Sequence, residues 1–269
     1  MDLENFRVKP VWSKSKEDIW VEKFEPLVEQ NESKGTLINN RAEESKIFLR
    51  RIPLWGYAAS LLIPVLLFCQ LFTVTQKTTR GEQTVLRLPD RSTVTLNAET
   101  KLSYKPLVWF ISRKVRLDGE ACFEVKPGSR FSVRTDDNRV SVLGTTFNVQ
   151  ARPGIYRVTC LTGQVEVQAG QETFVLNPNM QASLHEHKLI INSDVTPAMT
   201  TGWMQGVFVF VETPLQEVVA EVERQYNIQV TPTSYPNHLY SGNFSKTDNR
   251  PEEVLEIIGK PFGITFSIK

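Results

Sequence analysis

The sequence has few of the residues and motifs that mark an enzyme, a disulfide scaffold or a nucleic-acid-binding protein. Its 269 residues include 3 cysteines, too few for a disulfide framework. The formal net charge is +1, without the basic excess typical of nucleic-acid binding, so we expect no direct nucleic-acid partner. The GxGxxG, GxxxxGK[ST], GxSxG and HExxH patterns are all missing. We therefore expect no catalytic activity, no cofactor and no metal.

The histidines and cysteines do not change this expectation. His185 and His187 stand two residues apart on a strand-like run, and without a third ligand nearby they favour a solvated strand over a metal site. Cys122 and Cys160 lie in strand-like runs and are expected to be buried free thiols. A disulfide between them stays open as an alternative if the compartment is oxidising.

One long run, residues 52–76, contains no charged side chain. As a helix it would extend roughly 37 Å, enough to cross a hydrocarbon core of about 30 Å. Its start at residue 52 argues against a cleaved signal peptide, and its lack of a polar face argues against a soluble core helix. The run predicts one transmembrane helix over 52–76. Slightly more basic residues precede it than follow it, which weakly favours a cytoplasmic N-terminus.

Residues 1–51 are polar and too few to bury a core of their own. Ser15 followed by apolar residues at helical spacing predicts a short amphipathic helix. Apolar side chains on such a segment favour a surface that folds onto a partner, although they could instead pack together or rest on the membrane. The residues that we assign to this partner-binding surface are Trp12, Ile19, Trp20, Phe24 and Leu27.

Residues 77–191 alternate apolar and polar side chains in short runs separated by turn residues. This pattern predicts an all-β antiparallel sandwich, roll or jelly-roll-like barrel with one face toward solvent. The predicted strands include 84–88, 93–96, 114–117, 131–134, 141–143, 146–150, 156–161 and 165–168.

The alternation ends at residues 192–204, which we interpret as a linker that ends at an aromatic anchor, Trp203. Beyond it, residues 205–269 contain an internal repeat with a shift of 36 residues, which pairs Gly206 with Gly242 and Phe208 with Phe244. Each unit has the pattern strand, helix, strand. The two units predict one small α+β domain, so the fold class is mixed: a helical tail, a membrane helix, an all-β domain and an α+β domain.

Gly144-Thr145 allows two interpretations. The glycine could serve a bulge or a close approach between strands. Alternatively, a strained Gly144-Thr145 bond could permit the threonine hydroxyl to attack the preceding carbonyl in an N-to-O acyl shift, which would make it a self-cleavage site.

Several segments resemble the FecR family of anti-sigma factors. They are GEQTVLRLPDRSTVTLNAETKLSY (81–104), VRLDGEACFEV (115–125), FSVRT (131–135), VSVLGTTFNV (140–149) and VTCLTGQVEV (158–167). The segment WMQGVFVFVETPLQEVVAEVERQYNIQV (203–230) resembles the C-terminal domain of the longer members, which is similar to secretin N-domains and to the signalling domain of TonB-dependent transporters. The usual Pro-Asp-Gly turn is Pro89-Asp90-Arg91 in this chain, so we expect a less tight turn there.

The resemblance implies a single-pass inner-membrane protein with its N-terminal tail in the cytoplasm and its two folded domains in the periplasm. It implies that the tail holds an ECF-type sigma factor and that a TonB-dependent outer-membrane transporter signals to the periplasmic part. In many such systems a membrane protease releases the tail. Because the C-terminal domain leaves sheet edges open to a partner strand, we assign Tyr240, Ser241, Gly242 and Phe244 to binding of the transporter's signalling domain.

A second hypothesis remains beside this one: a membrane-anchored periplasmic scaffold of a transport complex, without sigma regulation. The aromatic residues of the cytoplasmic tail favour the anti-sigma hypothesis, because a scaffold has no need of them.

Overall fold

Two β-sheets that share one long strand form the first folded region. The computed structural model describes residues 64, 68, 71–185, 188–232 and 238–269. We call residues 74–192 the β domain. Its strands are β1 (Val74–Thr78), β2 (Thr84–Arg87), β3 (Thr93–Leu96), β4 (Thr100–Tyr104), β5 (Arg113–Glu124), β6 (Phe131–Arg134), β7 (Asn138–Val142), β8 (Thr146–Arg152), β9 (Ile155–Thr162), β10 (Val165–Ala169), β11 (Glu172–Leu176), β12 (Gln181–His185) and β13 (Lys188–Asn192).

Strand β5 belongs to both sheets. Its first half lies in a sheet of order β1-β4-β5-β6-β7-β10-β11, and its second half lies in a sheet of order β2-β3-β5-β8-β9-β12-β13. Gly119 stands at the change of sheet with φ +117°, and a Cβ there would lie 2.5 Å from Thr100 Oγ1. Only glycine fits this position. The inward side chains of both sheets form one core around Phe123, Phe131 and Phe147.

The strands predicted from alternation are present, but the strand predicted at 114–117 is only the start of β5, which continues to Glu124, and the strand predicted at 141–143 begins at Asn138. The structure adds β1, β4 and β11 to β13 to the strands that we placed by residue number. The pairing is antiparallel except for β5 and β6, which run parallel. Cys122 and Cys160 are free and buried, as expected.

Residues 197–269 form the second region, which we call the C-terminal domain. Its elements are α1 (Pro197–Thr201), β14 (Val207–Pro214), α2 (Leu215–Tyr226), β15 (Val230–Thr231), β16 (Leu239–Ser245), α3 (Pro251–Gly259) and β17 (Ser267–Ile268). The predicted order of strand, helix, strand is present twice. The first strands of the two repeats pair with each other, as do the last strands, and both pairs are antiparallel.

Two predicted boundaries need correction. The predicted membrane helix 52–76 extends too far, because Val74, Thr75 and Gln76 lie in β1, where they pair with β4. The predicted linker 192–204 contains α1 and a 3₁₀ turn over Gly202–Gln205, in which the aromatic anchor Trp203 is buried.

Most of the predicted membrane helix lies outside the described residues. Pro64, Phe68 and Leu71 are helical and exposed. Within the part of the chain that the structure describes, no helix has the length and apolar character needed to cross a membrane.

Candidate functional site

Helix α2 carries a polar stripe that faces the β domain. Glu217, Glu221 and Gln225 follow each other at intervals of four residues and so share one helix face. Glu221 is buried, and Gln225 has 0% exposure. The apolar face of the same helix packs into the core of the C-terminal domain through Leu215, Val218, Val219 and Val222.

The stripe meets polar side chains of the β domain. We call this set the domain junction; its members are Glu217, Glu221, Arg224 and Gln225 of α2, and Asn97, Glu120, Asn148, Arg152 and Arg157 of the β domain.

A chain of hydrogen bonds runs through the buried part of the domain junction. Gln225 Nε2 donates to Glu221 Oε1 at 2.8 Å and to Asn97 Oδ1 at 2.7 Å. Asn97 Nδ2 donates in turn to Glu120 Oε2 at 2.9 Å, and Asn148 Nδ2 donates to Glu120 Oε1 at 2.9 Å. Each buried carboxylate therefore has partners, as burial of polar groups requires.

The two glutamates of the junction have pKa values shifted in opposite directions. Burial raises the pKa of Glu120, and the nearby charge of Glu221 raises it further. Burial also acts to raise the pKa of Glu221, but Arg224 and Arg152 outweigh it, so that the pKa of Glu221 lies below its usual value. The surroundings of the junction therefore favour the ionised form of Glu221 more than that of Glu120.

An ion pair closes one side of the junction. Arg157 on β9 binds both carboxylate oxygens of Glu217, with Nη2 to Oε2 at 2.9 Å, and Arg157 Nη1 also donates to Gln150 Oε1 at 3.1 Å. Burial acts to lower the pKa of Arg157, but the bonds to Glu217 outweigh it and raise the pKa above its usual value. A two-point guanidinium contact of this kind fixes orientation as well as distance.

Hydrogen bonds to backbone groups connect the C-terminal domain with the loop between β1 and β2. The Gly81 N–H donates to the Arg224 carbonyl at 2.7 Å, and Lys246 Nζ donates to the Gly81 carbonyl at 3.2 Å. Gln83 Nε2 donates to the Trp203 carbonyl at 2.9 Å. Cys122 adds an apolar contact, since its side chain belongs to the core of the C-terminal domain. Burial and the nearby Glu124 raise the pKa of its thiol to about 12, so it is not a reactive thiolate.

A cavity of about 340 Å³ lies beside the junction. Residues 207–213, most of β14, line one side, and side chains of β8, β9 and β12 line the other. Glu120, Glu217 and Glu221 of the domain junction also line this cavity.

The polar side chains of the domain junction pair with each other across the two domains. Its carboxylates are engaged by arginine, asparagine and glutamine side chains. In the described ranges, no group of three or more His, Cys, Asp or Glu residues is placed to hold a metal ion. His185 lies exposed on β12, and His187 lies outside the described residues. A buried polar contact between two domains can separate as a unit, because its groups can be solvated once water enters.

The predicted partner-binding residues divide into two groups. The tail surface of Trp12, Ile19, Trp20, Phe24 and Leu27 lies outside the described residues. Tyr240, Ser241, Gly242 and Phe244 all lie on β16, with Tyr240 and Phe244 buried and Ser241 exposed.

Strand β16 is an edge strand in the part of the chain that the structure describes, because β14 is its one sheet partner there. Ser241 Oγ accepts a bond from the Glu212 N–H at 2.9 Å, across a β-bulge in β14. The placement of β16 is compatible with strand addition, and its binding role stays a prediction.

Gly144 and Thr145 lie between β7 and β8. A Cβ at Gly144 would lie 2.9 Å from Pro127 Cα, so the close approach of that segment is sufficient reason for a glycine. Thr145 is buried, and its Oγ1 donates to the Gln164 carbonyl at 3.0 Å. An acyl shift would require the hydroxyl to leave this partner, and self-cleavage stays a prediction.

Sequence reasoning missed the α2 stripe because Glu and Gln on a helix normally mark a solvated face. A signal was available in the repeat. The shift of 36 residues pairs Glu217 with Glu253, but it pairs Glu221 with Ile257 and Gln225 with Pro261. Helix α2 therefore has a polar stripe that α3, its counterpart in the repeat, lacks. This difference indicates that α2 has a contact surface that α3 does not have.

Solved structures with this architecture are known. Two crystal structures of candidate anti-sigma factors from Parabacteroides distasonis ATCC 8503 are similar to this chain. One is 28% identical, with a TM-score of 0.67 over 73% of this chain and 98% of that one. The other is 30% identical, with a TM-score of 0.66 over 71% of this chain and 92% of that one. A comparison with curated protein sequences gives no match.

The chain therefore has two folded domains, a β domain and a small α+β domain, joined by a polar junction. Family comparison gives its class. The family described as FecR protein matches residues 74–166, and the family described as FecR, C-terminal, matches residues 207–269. The chain belongs to the FecR family of anti-sigma factors.

Proposed function

We propose that this anti-sigma factor is a single-pass inner-membrane signal transducer. Residues 1–51 hold an ECF-type sigma factor in the cytoplasm, and the β domain and the C-terminal domain lie in the periplasm. The signalling domain of a TonB-dependent outer-membrane transporter binds the C-terminal domain, and the sigma factor is then released or activated. A membrane protease is a candidate for the step that frees the tail.

The observation that carries this proposal is the position of the domain junction. The C-terminal domain contacts Gly81 and Asn97, which follow the ends of β1 and β3. Strand β1 begins at Val74, directly after the uncharged run that we propose crosses the membrane. A signal received by the C-terminal domain therefore has a direct mechanical route through β1 to the membrane segment.

The edge of β16 supports the receiving role. Its unpaired backbone groups can accept a strand from a partner domain, in which case main-chain hydrogen bonds supply the affinity. A scaffold without sigma regulation would use the same edge, so the tail is the part of the chain that distinguishes the two functions.

The decisive experiment measures sigma-factor binding by the full-length chain. Wild type, the Trp20→Ala, Phe24→Ala double variant and a Lys23→Ala control are purified from the source cell, and the sigma factors that copurify are quantified. Loss of aromatic anchors from the predicted partner-binding surface should lower affinity by roughly thirtyfold or more, whereas removal of the Lys23 side chain from the same predicted helix should change it little.

Two outcomes would contradict the proposal. Equal sigma-factor recovery with the double variant would remove the tail from sigma binding and favour the scaffold function. The topology has its own test, an alkaline phosphatase fused after Lys269, which is active outside the cytoplasm. A stable fusion without activity would show that the C-terminal domain is cytoplasmic.

A further inference from the structure

A short turn between β4 and β5 exposes large apolar side chains. Phe110 is 94% exposed, Ile111 88% and Leu107 47%. Single exposed apolar residues are common on protein surfaces, but three within five residues form a patch that calls for a partner. We call residues 105–112 the apolar turn.

Contacts with the core of the β domain anchor the apolar turn. Trp109, between the exposed residues, is 2% exposed and packs edge-on against Tyr104 and Phe131 at centroid distances of 5.7 and 6.0 Å. The Val108 carbonyl accepts bonds from the N–H groups of Ile111 and Ser112, both at 3.0 Å. The buried Trp109 side chain therefore anchors the turn, while the neighbouring Phe110 and Ile111 side chains point away from the core.

The register of β1 and β4 places the apolar turn at the end of the β domain where the uncharged run arrives. Val74, the first residue of β1, pairs with Tyr104, the last residue of β4. In an antiparallel pair, the residues before Val74 and those after Tyr104 leave the sheet at the same end. Leu71 is three residues before Val74, at most roughly 10 Å of extended chain.

The C-terminal domain lies at the opposite end of this strand pair. Thr78, the last residue of β1, pairs with Thr100, the first residue of β4. The contacts of Gly81 and Asn97 with α2 lie just beyond that end. The apolar turn therefore lies away from the domain junction, at the end of the sheet where the chain enters β1 from Leu71.

Basic side chains surround the apolar turn. Lys105 and Lys114 flank it and are exposed. Phe131 pairs with Arg113 and with Val142, which brings exposed Arg130 and 65% exposed Leu143 to the same end of the sheet. Arg130 also forms an ion pair with Glu166, with Nη2 to Oε2 at 3.5 Å. Apolar side chains flanked by exposed lysines suit an interface with lipid, where the rings and alkyl groups enter the acyl boundary and the cations meet the phosphates.

We propose that the apolar turn inserts Leu107, Phe110 and Ile111 into the outer interface of the membrane that residues 52–73 cross. This inference rests on the proposed function, since it requires the transmembrane segment. The insertion gives the β domain a second attachment to the bilayer beside β1. The β domain then cannot rotate freely about the chain that joins β1 to the membrane segment. A displacement at the domain junction can therefore reach that segment.

The test places a fluorophore on the apolar turn of the full-length chain in lipid vesicles. Ile111→Cys in a Cys69→Ser background is labelled with an environment-sensitive nitrobenzoxadiazole, since Cys122 and Cys160 are buried. The matched control carries the label at Asp137→Cys. This exposed site lies in the turn between β6 and β7, at the end of these two strands that is remote from the apolar turn. The vesicles contain phosphatidylcholine and phosphatidylglycerol, with or without spin-labelled lipid.

We expect blue-shifted emission and quenching by spin-labelled lipid at position 111, and neither at position 137. Adding Phe110→Ser to the labelled variant should reduce the lipid-accessible fraction at position 111. If protein that floats with the vesicles shows the same water exposure at both positions, the proposal that the apolar turn inserts into the membrane is wrong, and the transmembrane proposal stands. If the protein does not float with the vesicles after alkaline washing, the transmembrane proposal fails, and this inference fails with it.

Discussion

Arg91 occupies a backbone conformation that normally belongs to glycine. Its φ is +67°, at the third position of the loop between β2 and β3. The expectation of a less tight turn is wrong, because the Leu88 N–H donates to the Ser92 carbonyl and the Arg91 N–H to the Leu88 carbonyl, both at 2.9 Å. This is a three-residue hairpin loop whose last residue must be left-handed.

The surroundings hold the loop in place despite Arg91. The Ser92 N–H donates to Asp90 Oδ1 at 3.0 Å, and Arg113 Nε donates to Asp90 Oδ2 at 2.7 Å. Burial acts to raise the pKa of Asp90, but the bonds from Arg113 and Ser92 outweigh it and hold the pKa below its usual value. The bonds to Asp90 can therefore hold the neighbouring Arg91 in its strained backbone conformation.

Arg91→Gly should stabilise the protein. Relief of the left-handed strain exceeds the added flexibility of glycine in the unfolded chain, for a net gain of up to about 1 kcal/mol in the free energy of unfolding. Arg91→Ala is the matched control, because it removes the side chain and keeps the Cβ. Denaturant unfolding measures both. An equal effect of the two substitutions would mean that the side chain, and not the backbone, determines the stability of the loop.

Glu120 should make stability depend on pH. Its pKa is raised in the folded protein above the ordinary value of 4.5, first by burial and then by Glu221. Above pH 4.5 the unfolded chain has released this proton while the folded protein still holds it, so this residue's contribution to stability falls as pH rises until the folded pKa is passed.

Glu120→Gln should remove this part of the pH dependence, because an amide does not titrate in this range. Free energies of unfolding measured from mildly acidic to neutral pH should decline less steeply in the variant than in wild type. Glu124→Gln, at an exposed position of the same strand, should follow the wild-type profile. A Glu120→Gln profile parallel to that of wild type would show that Glu120 is ionised in the folded protein.

Among the elements, the edge of β16 leads to a prediction about partner binding. If a strand of the transporter's signalling domain adds there, main-chain donors matter more than side chains. Ser241→Pro removes an N–H from the edge strand, whereas Ser241→Ala removes only the hydroxyl that accepts the Glu212 N–H. Binding of the purified signalling domain to the full-length chain should weaken strongly with proline and little with alanine. Equal binding by all three proteins would place the receiving surface elsewhere.

Elements with alternating or helical patterns were predictable from the sequence. Strands β3 and β6 were placed to the residue, and α2 and α3 were found because apolar residues recur at helical spacing. Strand β1 is not visible in the sequence, because Thr75, Gln76 and Lys77 are all exposed and the strand therefore has no alternation of apolar and polar side chains. The sharing of β5 between two sheets depends on the close contact of Gly119 with Thr100, which no local pattern encodes.

The candidate site was less predictable than the fold. The domain junction joins Asn97 to Gln225 across 128 positions of the sequence, and both residue types are normally solvated. Their burial follows only from the docking of the two domains. The edge strand of the C-terminal domain was predictable, because the internal repeat implies two similar units with open sheet edges.

At the scale of the whole molecule, two contact regions of the β domain lie at opposite ends of the strand pair β1 and β4. The apolar turn and the start of β1 lie at one end of the β domain, and the domain junction lies at the other. Between them, β1 and β4 run the length of the sheet, paired over five residue pairs from Val74 and Tyr104 to Thr78 and Thr100. We propose that a signal received by the C-terminal domain passes through the junction toward the membrane segment.

The most direct test of this claim exchanges the charges of the junction ion pair. Arg157→Glu and Glu217→Arg each place like charges where Arg157 Nη2 and Glu217 Oε2 now lie 2.9 Å apart, and the double variant restores an opposite pair. Transcription from a sigma-dependent promoter is measured with and without the inducing signal. Each single variant should lose the difference between induced and uninduced transcription, and the double variant should recover it. Full induction in both single variants would contradict the claim.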